Sequence, residues 1–143
     1  MHRSIPAVAS AAALVLPTAA TAGAATAKAT SKKKVVVSTR RYTGAAAEAD
    51  RWGPLQVTIT VRKTTTVTAG KRKVTRKITA VSVPTYPNHT DRSVYINTQA
   101  LPVLRSEALR AQSARIDLVS GATDSSDAFA QSLQSAILKA KRA

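Results

Sequence analysis

The 143-residue sequence has no cysteine, which removes disulfides, thiolate metal sites and a lipid anchor on Cys. Histidine is nearly as scarce: the chain holds His2 and His89 and no other. With no Cys and a single His beyond the N-terminal leader there is no credible nucleophile–base pair, and a hydrolase is excluded on that ground. Aromatic residues make up 3% of the chain, too few to provide stacking platforms for nucleic acid. No apolar run reaches the about 20 residues that cross a bilayer as a helix. Acidic residues number seven against 22 Lys and Arg, giving a formal charge of +15. That imbalance favours anionic partners: lipid headgroups, cell-wall polymers, nucleic acid or an acidic redox partner, with nucleic acid the weakest because aromatics are scarce. A soluble basic protein with no specific anionic partner is the competing reading.

The N-terminal residues are not fold material. Met1-His2-Arg3 is a short basic start, Ile5 to Leu16 is apolar and Ala-rich, and Ala20-Thr21-Ala22 offers a small-residue cleavage signal. Residues 1–24 are therefore read as a secretory signal peptide, cut after Ala22 or Ala24, which predicts an extracytoplasmic protein. The leader carries one basic residue, Arg3, and no acid, so its removal leaves +14. Residues 25–50 are rich in Ala, Thr, Lys and Ser, a composition that cannot offset the entropy of chain ordering, and read as a flexible tether. Within it, Val35-Val36-Val37 fits a short edge strand or an extended segment, and the extended reading is favoured.

Residues 51–143 form the expected folded domain. Leu55, Val57, Ile59 and Val61 alternate with Gln56, Thr58, Thr60 and Arg62, the pattern of a half-buried strand. Ala69-Gly70-Lys71 predicts a turn, and Lys73 to Pro84 a return strand whose change of phase implies a bulge. Pro84 to His89 reads as a loop. Asn97 is placed as the cap of a helix that starts at Thr98, carries Pro102 in its first turn and ends near Ala114. Glu107 and Arg110 stand three apart on its wet side, able to pair. Ile116 to Val119 reads as a short buried strand. Asp124 or Ser125 caps a last amphipathic helix running to about Lys141, with Ala128, Phe129, Leu133, Ala136, Ile137 and Ala140 as its apolar stripe. The expected fold class is α+β: a small antiparallel hairpin-based sheet packed with two helices.

The most informative segment is Asp117-Leu118-Val119-Ser120-Gly121-Ala122-Thr123, followed by Asp124-Ser125-Ser126. It resembles the flavin-attachment signature of the FMN-binding domain family, which includes the C subunit of sodium-pumping NADH:quinone reductase and the G subunit of Rnf complexes. Trp52-Gly53-Pro54-Leu55-Gln56-Val57 resembles the start of that family's first strand. Tyr86 to Ser93, Ile96-Asn97 and Ala111-Gln112-Ser113-Ala114 are similar to its secreted single-domain members. The resemblance covers roughly Trp52 to Ala140. It implies that Thr123 carries FMN through a phosphoester, with Asp117, Ser120, Gly121, Ala122 and Ser126 as the surrounding motif. It implies further an FAD:protein FMN transferase and a membrane-bound electron donor as partners, and a carrier or reductase module rather than a stand-alone enzyme. The long arm Lys63 to Lys77 departs from the tight Asp-Gly-Lys turn usual in the family.

The residues themselves suit that chemistry. A threonine hydroxyl is a weak nucleophile without activation, and nothing near Thr123 activates it, so a separate enzyme must reach an exposed loop with small neighbours. Gly121 and Ala122 supply little bulk, and a following helix start favours phosphate. Ser125 and Ser126 read as additional hydroxyl donors to it. Asp117 fits either recognition by the transferase, near its Mg²⁺, or capping of the loop backbone. Tyr86, His89, Arg92 and Asn97 are candidates to line the isoalloxazine ring. Packing, or for His89 an ordinary turn position, is the alternative. Trp52 is read as a lid on the sheet rather than a cofactor platform. No metal site is expected. The rival function is a basic cell-envelope module, binding an anionic polymer or membrane surface, without cofactor.

Overall fold

The computed structural model describes residues 32–143; the signal peptide assigned to 1–24 and residues 25–31 of the assigned tether lie outside the described residues. The elements are β1 (Lys34–Thr43), β2 (Ala47–Glu48), a 3₁₀ turn (Asp50–Trp52), β3 (Pro54–Thr68), β4 (Lys71–Thr85), α1 (Asp91–Ala111) and α2 (Thr123–Arg142). β3 is the central strand of a four-stranded antiparallel sheet, pairing with β1 and β2 on one side and with β4 on the other. The α+β architecture expected from the sequence is the one observed. Among the described residues no helix is long and apolar enough to cross a membrane.

β3 forms where alternation predicts it. Leu55, Val57, Ile59 and Val61 turn to the helices and are buried, while the residues between them face the open side of the sheet. The reversal at Ala69-Gly70 has φ of 50° and 77°, the pair of positive values that a tight two-residue hairpin turn requires. Two register shifts, at Gln56/Thr58 and Thr60/Val61, each add a residue on β4 and account for its change of phase.

Three sequence readings are corrected. The assigned tether contains a ten-residue strand: β1 pairs with β3 from Lys34↔Val67 to Thr43↔Thr58. It is an edge strand exposed on both faces apart from Tyr42, so it shows no alternation to read, and its order comes from the backbone ladder. The first helix begins at Asp91, not Thr98. Thr90 is its cap: the Thr90 hydroxyl accepts from the Ser93 amide at 3.1 Å and the Ser93 hydroxyl accepts from the Thr90 amide at 3.2 Å, a capping box with Ser in place of the usual Glu or Gln. Pro102 therefore lies inside this helix and Asn97 in its buried face. Ile116–Val119 is a loop rather than a strand, with Leu118 52% exposed.

The core lies between the sheet and the two helices. Phe129 and Leu133 of α2 and Leu104 of α1 are fully buried with Leu55, Val57 and Ile59. The far end of α1 is pinned to β4 by Gln112, whose side-chain oxygen accepts from the Ile78 amide at 2.7 Å and whose nitrogen donates to the Ile78 carbonyl at 2.9 Å. Glu107 and Arg110 form the expected pair at 2.6 Å, on a surface where such a pair contributes little.

α2 is fixed to the sheet edge through its middle and second half. The edge strand breaks between β1 and β2, and Ser132 fills the break: its hydroxyl accepts from the Val57 amide at 2.8 Å. Ser135 accepts from the Ala45 amide at 3.0 Å and Lys139 donates to the Thr43 carbonyl at 2.7 Å. The helix backbone comes so close that a Cβ on Gly44 would stand 2.0 Å from the Ser132 carbonyl oxygen. Relief requires backbone movement. Gly44→Ala is expected to destabilise the domain by about 2–3 kcal/mol, at the upper end of ordinary overpacking penalties. Phe129→Ala should lose about 3–5 kcal/mol as a large-to-small core change. Urea unfolding checks both, and a Gly44→Ala midpoint equal to wild type would show that the contact yields easily.

Candidate functional site

The site forms where the loop 112–122 enters α2. Gly121 has φ of 81°, and no atom lies within 4 Å of where its Cβ would be, so glycine is needed there for conformation and not for space. The turn closes with the Ala122 amide donating to the Val119 carbonyl at 3.0 Å. Thr123 is then the first residue of α2, and it is exposed. The cap position is Ala122, which has no side-chain oxygen, and no side chain caps this helix. The amides of the first turn therefore point outward beside the Thr123 hydroxyl without a side-chain acceptor, where an anion is stabilised by both hydrogen bonding and the helix dipole.

Ser126 serves the loop and not a ligand. Its hydroxyl donates to the Ala122 carbonyl at 2.7 Å and accepts from the Val119 amide at 3.0 Å, and the residue is fully buried. This corrects the reading of Ser126 as a phosphate donor: both of its hydrogen-bonding capacities hold the Gly121 turn against the helix start. Ser125 is also buried but lines the cleft described next.

Thr123 opens onto a cleft of about 130 Å³ between the start of α2, the first turns of α1 and Trp52. From α1 it receives Arg92, Ser93, Ile96 and Asn97; from the loop and α2, Gly121 to Ser125. Trp52 is half-buried and packs against the core, as a lid does, and it also lines the cleft; the Arg51 guanidinium lies 5.2 Å from its ring centre. Of the residues expected at a ring site, Arg92 and Asn97 are brought to Thr123. Tyr86 is not: it lines a second hollow with Val83, Leu101 and Pro102. His89 is exposed and borders neither hollow. Asp117 and Ser120 are exposed and Ala122 is buried, and neither Asp117 nor Ser120 lines the cleft. Ser93 and Ile96 were not singled out as site residues, because their place depends on α1 starting a full two turns earlier than its sequence suggests.

Asn97 is the least satisfied polar residue of the site. Its amide nitrogen donates to the Pro87 carbonyl at 2.8 Å, which fixes which end of the amide faces which way. Its oxygen, in a residue 1% exposed, has no hydrogen-bond partner among the described residues. Asn97 lies between the cleft and the Tyr86 hollow. A buried acceptor left alone is costly and is ordinarily met by water or a ligand donor.

The site is thus an exposed hydroxyl at a helix start without a side-chain cap, on the rim of a shallow cleft walled on one side by Trp52. A protein-family model described as "FMN-binding domain" matches residues 50–138. The chain belongs to the FMN-binding domain family, and it is a flavoprotein with FMN as cofactor. Among curated proteins none matches it. The residues present fit the cofactor: the open first turn of α2 suits the phosphate, Arg92 adds a cation, and Asn97 offers an acceptor to a ring N–H. Asp124 borders the same cleft and opposes the phosphate charge.

Gly121→Ala is expected to cost about 1–2 kcal/mol, the penalty of a positive φ on a residue with a Cβ. Asn97→Ala leaves the Pro87 carbonyl unpartnered and should cost about 1–3 kcal/mol. Urea titrations of the purified domain measure both.

Proposed function

We propose that the protein is an extracytoplasmic electron-transfer flavoprotein in which FMN is held by a phosphoester bond to Thr123 Oγ. The observation that carries the reading is the position of Thr123: exposed, at the uncapped start of α2, on the rim of a cleft far smaller than the about 300 Å³ at which ligand-enclosing pockets begin. Such a cleft grips part of an FMN molecule, and a covalent bond supplies the permanence that enclosure does not. The N-terminal sequence supports the address: Arg3, the apolar stretch Ile5–Leu16 and Ala20-Thr21-Ala22. Outside the cell a dissociated cofactor would be lost.

Attachment is performed by a second protein, an FAD:protein FMN transferase. Thr123 Oγ bonds to the phosphorus of the FMN half of FAD, the phosphoanhydride bond breaks, AMP leaves, and the hydroxyl proton passes to a base of the transferase. The loop Asp117 to Gly121 is the surface the transferase meets, and the turn at Gly121 presents the hydroxyl. When bound, FMN supplies one- and two-electron redox chemistry. This chain's part is to hold the phosphate at the amides of α2, to place Arg92 and Asn97 beside the ligand, and to shelter one side with Trp52. A membrane-bound donor delivers the electrons.

Co-expression with such a transferase in an exporting host tests the assignment by in-gel flavin fluorescence under denaturing conditions and by intact mass. Wild type and Thr123→Ser should each carry one FMN, and Thr123→Ala none. A dark wild-type band would overturn covalent attachment, and a fluorescent Thr123→Ala band would overturn the residue. Asn97→Leu should remain flavinylated but shift the flavin absorption and the reduction potential.

A further inference from the structure

The three long strands contain no acidic residue at all; all seven acids of the chain lie outside them. β4 alone carries Lys71, Arg72, Lys73, Arg76 and Lys77. The pairing register sets Arg62 directly opposite Lys77 and Lys63 directly opposite Arg76. Like charges facing each other across an antiparallel pair are destabilising, and two adjacent rungs do this here. Among the described residues the only side-chain hydrogen bond of these four is Lys63 Nζ donating to the Ala143 carbonyl oxygen at 2.9 Å.

These rungs lie just past the core. Val61 and Ile78 form the last buried rung, and every residue of β3 and β4 between Arg62 and Lys77 is half-buried or exposed. From there to the turn the β3–β4 ribbon, flanked along β3 by the exposed edge strand β1, runs about 20 Å beyond the core, at ~3.3 Å per residue. It has no core of its own to justify its length. Its cations point both ways. Side chains alternate along a strand, so Arg62, Lys71, Lys73 and Lys77 face away from the helices, and Lys63, Arg72 and Arg76 face the other side.

We propose that this ribbon is a binding site for a flexible, linear, phosphate-bearing polyanion of the cell envelope. Charge complementarity selects an anion, and the two-sided display selects its form. A planar lipid surface meets one face of a ribbon and leaves the other three cations unused, whereas a flexible chain follows both faces. On β4, Lys71 and Lys73 stand two residues apart, about 6.6 Å, while Lys73 and Lys77, and Arg72 and Arg76, stand four apart, about 13 Å, spacings a flexible polymer of charged units can match. Thr64, Thr66 and Thr75 place hydroxyls between them. The stretch from Arg62 to Lys77 has no aromatic residue, so neither base stacking nor interfacial anchoring is provided. The repulsion across the two rungs is relieved when the polymer binds. The inference does not rest on the attachment of FMN.

The test uses the secreted full chain and long-chain inorganic polyphosphate, with orthophosphate, anionic phosphatidylglycerol vesicles and single-stranded oligothymidine as comparisons. Wild type should bind polyphosphate far more tightly than the other three. The double variant Arg76→Thr/Lys77→Thr should lose about 1.4 from the slope of log K against log salt and about twentyfold in affinity at 0.1 M, taking ~0.7 per phosphate contact on a single strand. It should also melt at a higher temperature than wild type, because both like-charge rungs are relieved. A second variant, Arg105→Thr/Arg115→Thr, removes two exposed cations away from the ribbon and should bind nearly as wild type. Equal losses in the two variants would reduce the effect to net charge and overturn the site. Tighter binding to vesicles or to oligothymidine than to polyphosphate would overturn the polymer assignment.

Discussion

The close approach of α2 to the sheet at Gly44 is the constraint on which the rest depends. A helix normally stands off a sheet by the length of its side chains. Here a residue without a side chain lets the Ser132 backbone reach the edge strand, and the Ser132 hydroxyl replaces a strand partner for Val57. The break between β1 and β2 is thus completed by the helix. Once Ser132 is fixed, the start of α2 is fixed as well: Thr123 lies nine residues up a rigid rod, about 13 Å at 1.5 Å per residue. The position of the Thr123 hydroxyl relative to Trp52 and α1 follows from a backbone contact some distance away.

The same economy operates inside the site. Ser126 uses both of its hydrogen-bonding capacities on the loop, so the Gly121 turn and the helix start form one unit. That leaves Ala122 at the cap, a residue that does not compete for the first-turn amides. A Ser or Asp there would strengthen the helix and fill the place an anion takes. The arrangement gives up some local stability and leaves an anion-binding position open beside an exposed threonine.

Much of this was legible in the residues. The alternation from Leu55 to Val61, the turn at Ala69-Gly70 and the stripe from Ala128 to Ala140 predict the layered fold, because each reports its own burial. The loop before α2 announced itself through Gly121 and its neighbours. What was hidden had no local signature. β1 is held by its partner's backbone and not by apolar side chains, and Gly44 marks a contact with a residue far along the chain. The early start of α1 rests on a Thr90–Ser93 pair that departs from the usual capping pattern. Because that start was missed, Ser93 and Ile96 were missed with it, and Tyr86 and His89 were grouped with residues from which the structure separates them.

The pairing of Lys34 with Val67 has a mechanical corollary. The chain enters the domain beside the hairpin tip, while Trp52 and Thr123 lie by the opposite end of β3, a strand of 15 residues and so about 50 Å long. A pull on the chain at Lys34 therefore acts at one end of β3, and Thr123 lies by the other. The domain works as a boom: the separation of Lys34 from Thr123 is held by the stiffness of the long strands.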